Sequence, residues 1–274
     1  RALLQLLDSP PARVTGGTAR MDGIDLLSLS EREMEDIRGE RISMLFQDPH
    51  SALDPVFTIG FQLQELLQIR KSMSRRQARN AAADLLDRVG IASPKERLDS
   101  YPHQLSGGIA QRVMVAIAIA LDPVVLLADE PTSSLDVTVQ AQVLELLQTL
   151  VSETRTALLL ITHNLAVAVG LADRILVMYA GKVMETGPAW AVYDQPQHPY
   201  TAALLRSIPG LEQRVDRLAA IGGAPPNLLH LPSGCVFHPR CPHAIDRCRQ
   251  GDPPLIETGP GRTSACIRVG EIVP

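Results

Sequence analysis

Two short segments constrain this chain more than anything else in it. Leu105 to Arg112 reads Leu-Ser-Gly-Gly-Ile-Ala-Gln-Arg, and Val124 to Leu135 reads Val-Val-Leu-Leu-Ala-Asp-Glu-Pro-Thr-Ser-Ser-Leu. The first is a glycine-rich turn opening an apolar helix. An exposed helix N-terminus with small residues offers its backbone N–H groups to a phosphate. The second is a uniformly apolar run led by β-branched residues, the pattern of a strand buried on both faces. It ends in adjacent carboxylates, Asp129 and Glu130. Two acids at a strand tip suit a metal ligand beside a group that polarises water. Either segment alone is weak, since Ser is a common helix N-cap and paired acids can be plain surface charges. Their occurrence together, in this order, gives them weight.

The rest of the chain supplies a frame for them. Ser30 with Glu33 three residues on reads as a capped helix start, and Arg41 to Phe46 as a short apolar strand ended by Gln47-Asp48-Pro49. Apolar residues at helical spacing run from Ile59 to about Gly90, and Val137 to Ser152 repeats that pattern. Ala157 to Ile161 reads as another buried strand, and Arg174 to Tyr179 and Val183 to Thr186 as two strands joined at Ala180-Gly181. Strands alternating with helices predict an α/β fold, a mainly parallel sheet with helices on both faces. The helical stretch at about 57–121 is expected to form a subdomain. From Pro196 onward Pro and Gly become frequent and periodicity fades, which places a boundary near 190–200.

Composition excludes some classes. The 274 residues carry a net charge of −4 and no lysine-rich run, which argues against nucleic acid as the main partner. No run of 18 apolar residues occurs, so the chain is not expected to span a membrane, and no signal peptide is visible. A cytosolic setting follows as an expectation. All four cysteines, Cys235, Cys241, Cys248 and Cys266, lie in the last 40 residues. In a reducing compartment such clustering suggests a metal centre over disulfides.

The two segments resemble the signature and Walker B motifs of ATP-binding cassette (ABC) proteins. The resemblance implies an ATPase using ATP and Mg2+. Asp129 would hold magnesium through water, with Gln47 of a Q-loop reaching the same ion. Glu130 would orient or deprotonate the attacking water, and His163, in Ile-Thr-His-Asn, would be the switch histidine at the γ-phosphate. Ser106, Gly107, Gly108 and Gln111 would close over nucleotide held by a second subunit. Ser133-Ser134-Leu135-Asp136 resembles the D-loop, which crosses to that subunit, so Asp136 joins the nucleotide-binding set. Ala110 stands where the family often has Arg. The segment Asp48 to Ile59 would touch a membrane subunit.

One family element is absent from these residues. A P-loop requires Gly-x-x-x-x-Gly-Lys followed by Ser or Thr, and the three lysines, Lys71, Lys95 and Lys182, provide none. Arg1 to Leu7 reads like the end of an apolar helix, so the P-loop is expected just upstream. Alternatives are a non-catalytic partner supplying only the signature turn, or a non-transport ABC ATPase.

Further motifs narrow the resemblance to the oligopeptide/dipeptide importer branch. They are Phe46-Gln47-Asp48-Pro49, Tyr101-Pro102-His103-Gln104, His198-Pro199-Tyr200-Thr201 and Gly234-Cys235-Val236-Phe237-His238-Pro239-Arg240-Cys241-Pro242. The branch implies a nucleotide-binding domain over 1–195 and a loop-rich, cysteine-containing region over 196–274. It also implies two membrane-spanning permease subunits, an extracytoplasmic solute-binding protein and residence at the cytoplasmic face of the plasma membrane. Peptides would be imported, or a related small solute such as nickel. The cysteine spacing matches no standard zinc template. Four thiolates can hold zinc or a [4Fe–4S] cluster, and some members of the branch carry such a cluster.

Overall fold

The computed structural model describes residues 1–133, 135–208 and 221–272. The chain divides into two compact units, Arg1–Ile161 and Thr162–Pro274.

After a single 3-10 turn at Ala2–Leu4, the first unit forms a small hairpin, β1 (Arg20–Met21) and β2 (Ile24–Asp25), turned at Asp22-Gly23, both at positive φ. Helix α1 (Glu31–Ile37) carries the expected capping box of Ser30 and Glu33. Strand β3 (Ile42–Leu45) follows, then the short α2 (Pro49–Ala52), whose N-cap is Asp48. Four helices come next: α3 (Ile59–Lys71), α4 (Arg75–Arg88), α5 (Pro94–Arg97) and α6 (Gly107–Ile119). Strand β4 (Val125–Asp129), α7 (Val137–Thr154) and β5 (Ala157–Ile161) complete the unit.

Strands β3, β4 and β5 form a parallel sheet in that order. The largely apolar β3 and β4 are explained by its two covered faces. Leu45 and Leu126 enter a large core with Leu63, Leu86, Val113 and Leu147, while Met44 and Leu127 enter a second cluster with Leu4 and Met34 on the other side. Parallel sheets normally bury both faces in this way. Strand β5 departs from the expectation of burial, since Leu159 is 48 % exposed and Ile161 46 %. It pairs only with β4, and its other edge has no hydrogen-bonded strand among the described residues.

The second unit holds α8 (Leu165–Leu171), β6 (Arg174–Tyr179), β7 (Lys182–Pro188), α9 (Ala189–Asp194), α10 (Pro199–Arg206), β8 (Ile256–Gly259) and β9 (Arg262–Ser264). Its sheet is antiparallel, in the order β6-β7-β9-β8. Among the described residues the parallel sheet ends at β5, and the tail that lacked periodicity supplies two strands to a separate sheet. Because β9 pairs with β7 at Glu185↔Ser264, the strands around 174–188 pack with the tail. The compact division consequently falls at Ile161, ahead of the compositional change near 190–200. Among the described residues no helix is long and apolar enough to cross a membrane.

Candidate functional site

In the first unit, parallel register brings the acids and the glutamine together. Leu45 is level with Ala128, so Gln47 and Glu130 lie two residues beyond the matched pair on neighbouring strands. The carboxyl ends of parallel strands are where open α/β sheets bind ligands. Gln47 Nε2 donates to Glu130 Oε2 at 3.3 Å, and the Glu130 backbone N–H donates to the Ile161 carbonyl at 2.9 Å. Glu130 has φ +45°, an uncommon conformation for a residue with a long side chain, and such departures cluster at functional sites. Asp129, half-buried, closes the strand beside it. The result is an oxygen-rich strand tip, the donor chemistry that hard divalent cations take.

The glycine turn is built against α7. Ser106 is the N-cap of α6, exposed, and its hydroxyl makes no capping bond. Asp136 caps α7, accepting from Thr138 N at 3.1 Å and Val139 N at 3.0 Å. This fixes the first turn of α7, and Gly108 packs so close to it that a Cβ would stand 2.8 Å from Val139 Cγ1. A Cβ on Gly107 would meet Leu135 Cδ2 at an ordinary 3.7 Å. Ser134 lies outside the described residues.

Gln111 does not share the exposed turn. It is 0 % exposed, and neither end of its amide has a hydrogen-bond partner. It lies about one helical turn beyond Gly108, on the buried side of α6.

His163 belongs to the second unit. It is exposed, in the segment before α8, whose N-cap is the next residue, Asn164.

The four cysteines of that unit are half-buried, free of disulfides and line one pocket together with His198, Phe237, His238 and His243. Cys235 and Cys241 flank a single turn, with His238 N donating to Cys235 O at 2.9 Å and Cys241 N to His238 O at 3.2 Å. Cys248 meets them through its carbonyl, which accepts from Cys235 N at 2.9 Å, and Cys266 follows β9. Burial pushes the Cys235 and Cys266 thiols up and Cys241 to about 11. Among the described residues no group of three His, Cys, Asp or Glu is arranged to hold a metal ion. The thiols thus share a pocket without converging on one point.

Sequence reasoning missed a polar cluster that meets this pocket at His198. Glu185 on β7 is completely buried and accepts from Gln197 N at 2.9 Å, His198 N at 3.0 Å and Arg262 Nη2 at 3.4 Å. Its only signal was an acid within an otherwise strand-like run.

The fold and motifs define a class, and comparison with known proteins agrees. The ABC transporter family profile matches residues 2–133, and the profile for the oligopeptide/dipeptide transporter C-terminal region matches residues 184–248. The chain is 48 % identical over 265 residues to the dipeptide transport ATP-binding protein DppD of Escherichia coli K12, covering 97 % of this chain and 81 % of that protein. It is 47 % identical over 253 residues to the oligopeptide transport ATP-binding protein OppD of Salmonella typhimurium LT2, covering 92 % and 75 %. The dimeric, post-hydrolysis structure of the ATP-binding cassette MJ0796 bound to ADP and Pi superposes with a TM-score of 0.57 at 30 % identity, covering 64 % of this chain and 74 % of that one. This chain belongs to the ABC transporter ATP-binding proteins, in the group that carries the oligopeptide/dipeptide transporter C-terminal region. ATP hydrolysis with Mg2+ is the activity expected of that family.

Proposed function

We propose that this protein is the ATP-hydrolysing subunit of an importer for dipeptides or oligopeptides, peripheral to the cytoplasmic face of the plasma membrane. The observation that carries the reading is the meeting of Gln47 and Glu130 at the ends of β3 and β4, in a chain that also presents the Ser106–Gly108 turn. Glu130 acts as the group that orients or deprotonates the attacking water. Asp129 and Gln47 hold Mg2+, which neutralises phosphate charge when bound; sites of this kind use one or two carboxylates with the rest from phosphate and water. His163 contacts the γ-phosphate. Phosphoryl transfer asks mostly for positioning and charge neutralisation, which suits this division of roles.

The exposed turn at Ser106, Gly107 and Gly108, with Asp136 behind it, closes over nucleotide held by a second ATPase subunit. Closure and release of such an interface make a two-state gate. Two permease subunits receive that motion, and a solute-binding protein delivers the peptide to them. The exposed Val56, Phe57 and Phe61, with the two phenylalanine rings stacked 4.5 Å apart, are the docking face for a permease subunit. The functional division remains 1–195 for nucleotide chemistry and 196–274 for the C-terminal region.

The four cysteines hold a [4Fe–4S] cluster that staples the tail. Support comes from the pocket that all four line.

The test is uptake of radiolabelled dipeptides and oligopeptides into vesicles carrying the complete transporter. ATP-dependent uptake that disappears in Glu130→Gln is expected. Peptide uptake that persists in that variant, or hydrolysis indifferent to every peptide and binding protein supplied, would overturn the assignment.

A further inference from the structure

The Val56, Phe57 and Phe61 face and the Ser106–Gly108 turn are distant in sequence, yet a short series of contacts joins them. We propose that the first turn of α3 is a rigid joint through which a permease subunit seated on that face sets the position of the signature turn. Gly60 and Gln104 are its positioning residues. The proposal rests on the permease-docking reading above.

The joint starts at the docking face. Gln62 Oε1 accepts from Asp54 N at 3.1 Å and Gln62 Nε2 donates to Phe57 O at 3.2 Å, which ties the 54–57 loop to α3. The first N–H groups of a helix have no partner within it. In α3 two of them go to the segment that follows α5. Ile59 N donates to Ser100 O at 2.9 Å, and Gly60 N to Leu98 O at 2.7 Å. A Cβ on residue 60 would stand 2.6 Å from that same Leu98 oxygen and 2.8 Å from Leu98 Cβ. The oxygen is backbone and Leu98 is 1 % exposed, so neither can swing aside. Glycine is what lets the helix come this close. Arg79 of α4 fastens the segment from another side, its Nη2 lying 2.9 Å from Asp99 Oδ2.

From Ser100 the chain reaches the signature turn in five residues, Tyr101 to Leu105. These are closed on themselves. Tyr101 N donates to Gln104 Oε1 at 2.8 Å, Gln104 N to Tyr101 O at 3.0 Å, and Leu105 N to Pro102 O at 3.1 Å. The Tyr101 and His103 rings stack with centroids 5.6 Å apart. Leu105 is buried, and Ser106 follows it as the N-cap of α6. A connection folded this way has little slack to absorb a displacement. Rigid elements and hydrogen-bond networks of this kind carry coupling between sites, so a push on the docking face arrives at Ser106. This gives the Tyr101-Pro102-His103-Gln104 motif a physical task.

The experiment measures ATP turnover by the complete transporter in vesicles, with and without its solute-binding protein and a panel of dipeptides and oligopeptides. Co-purification with the permease and the melting temperature are read on the same preparations. The test variants are Gly60→Ala and Gln104→Ala. Alanine is the better helix former, so any loss in Gly60→Ala comes from the collision with Leu98. Gln104 is exposed, and Gln104→Glu, which keeps an oxygen to accept from Tyr101 N, is the rescue. Gln68→Ala is the control, since the Gln68 amide donates to Gln64 O within α3. The wild type, Gln68→Ala and Gln104→Glu are expected to show turnover stimulated by peptide-loaded binding protein. Both test variants are expected to lose that stimulation while keeping permease co-purification and melting temperature. If Gly60→Ala fails to fold, Gln104→Ala and its rescue decide. Test variants stimulated like the wild type, or ones that lose the permease itself, overturn the joint and leave the importer reading standing. A wild type that no peptide and binding protein stimulate overturns that reading and this proposal with it.

Discussion

Val139 occupies the space that a side chain on Gly108 would need: a Cβ there would stand 2.8 Å from Val139 Cγ1. The second glycine of the signature turn is thus required by the packing of α6 on α7 as well as by any phosphate. Valine is stiff at χ1, so the clash is not easily relieved. Gly108→Ala is expected to destabilise the chain by about 1–3 kcal/mol, and Val139→Ala in the same molecule is expected to recover most of that. Gly107→Ala, with its nearest contact at 3.7 Å, is expected to stay within about 0.5 kcal/mol of the wild type. Denaturant unfolding of the three variants checks this.

The docking face makes a separate prediction. Val56 is 70 % exposed beside the stacked Phe57 and Phe61. The loop is held by Gln62, whose Nε2 donates to Asp54 O at 3.0 Å and Phe57 O at 3.2 Å. Val56→Asp places a charge in the proposed contact with a permease subunit. Co-purification with the permease is expected to fall about tenfold, a change of about 1.4 kcal/mol in binding, with the melting temperature unchanged. Undiminished co-purification would remove this face from the interface.

Acid sensitivity follows from His198. Burial holds its imidazole down to about 4, against an ordinary 6.5. Between those values the unfolded chain takes up a proton that the folded chain refuses, so stability rises with pH through the window. The His198 contribution is flat above 6.5 and has lost about 2–3 kcal/mol by the low end. Denaturant unfolding of the metal-free chain at about pH 7 and about pH 4.5 should show that loss, and His198→Asn should remove most of it.

Nucleotide binding by the 274-residue chain is expected to be weak. It contains no Gly-x-x-x-x-Gly-Lys followed by Ser or Thr, and so lacks the backbone cradle and lysine that hold the β- and γ-phosphates. Calorimetric titration with Mg-ATP should give no micromolar binding. A micromolar dissociation constant would mean that other residues here hold the triphosphate.

What the sequence revealed was mostly local. The capping box at Ser30 and Glu33, the strand ending in Asp129 and the Ala180-Gly181 turn all depend on near neighbours, and each is found where its residues predicted. What it hid depends on distant pairings. Ala157 to Ile161 looks like a buried run, yet among the described residues β5 has one hydrogen-bonded neighbour and leaves apolar side chains exposed. The tail looked irregular because β8 and β9 are short and draw their register from β7. The complete burial of Gln111 depends on packing around α6 that its place beside the glycine turn does not reveal. Glu185 could not be read as buried without its partners at Gln197, His198 and Arg262.

The central claim is that the Ser106 turn and the Glu130 strand tip are halves of nucleotide pockets completed by another molecule. The most direct measurement is ATP turnover by the assembled transporter carrying either Glu130→Gln or Ser106→Arg. Each substitution is expected to cut turnover at least about 100-fold, the scale of a lost general base or positioning group. Normal turnover in both variants would contradict the account.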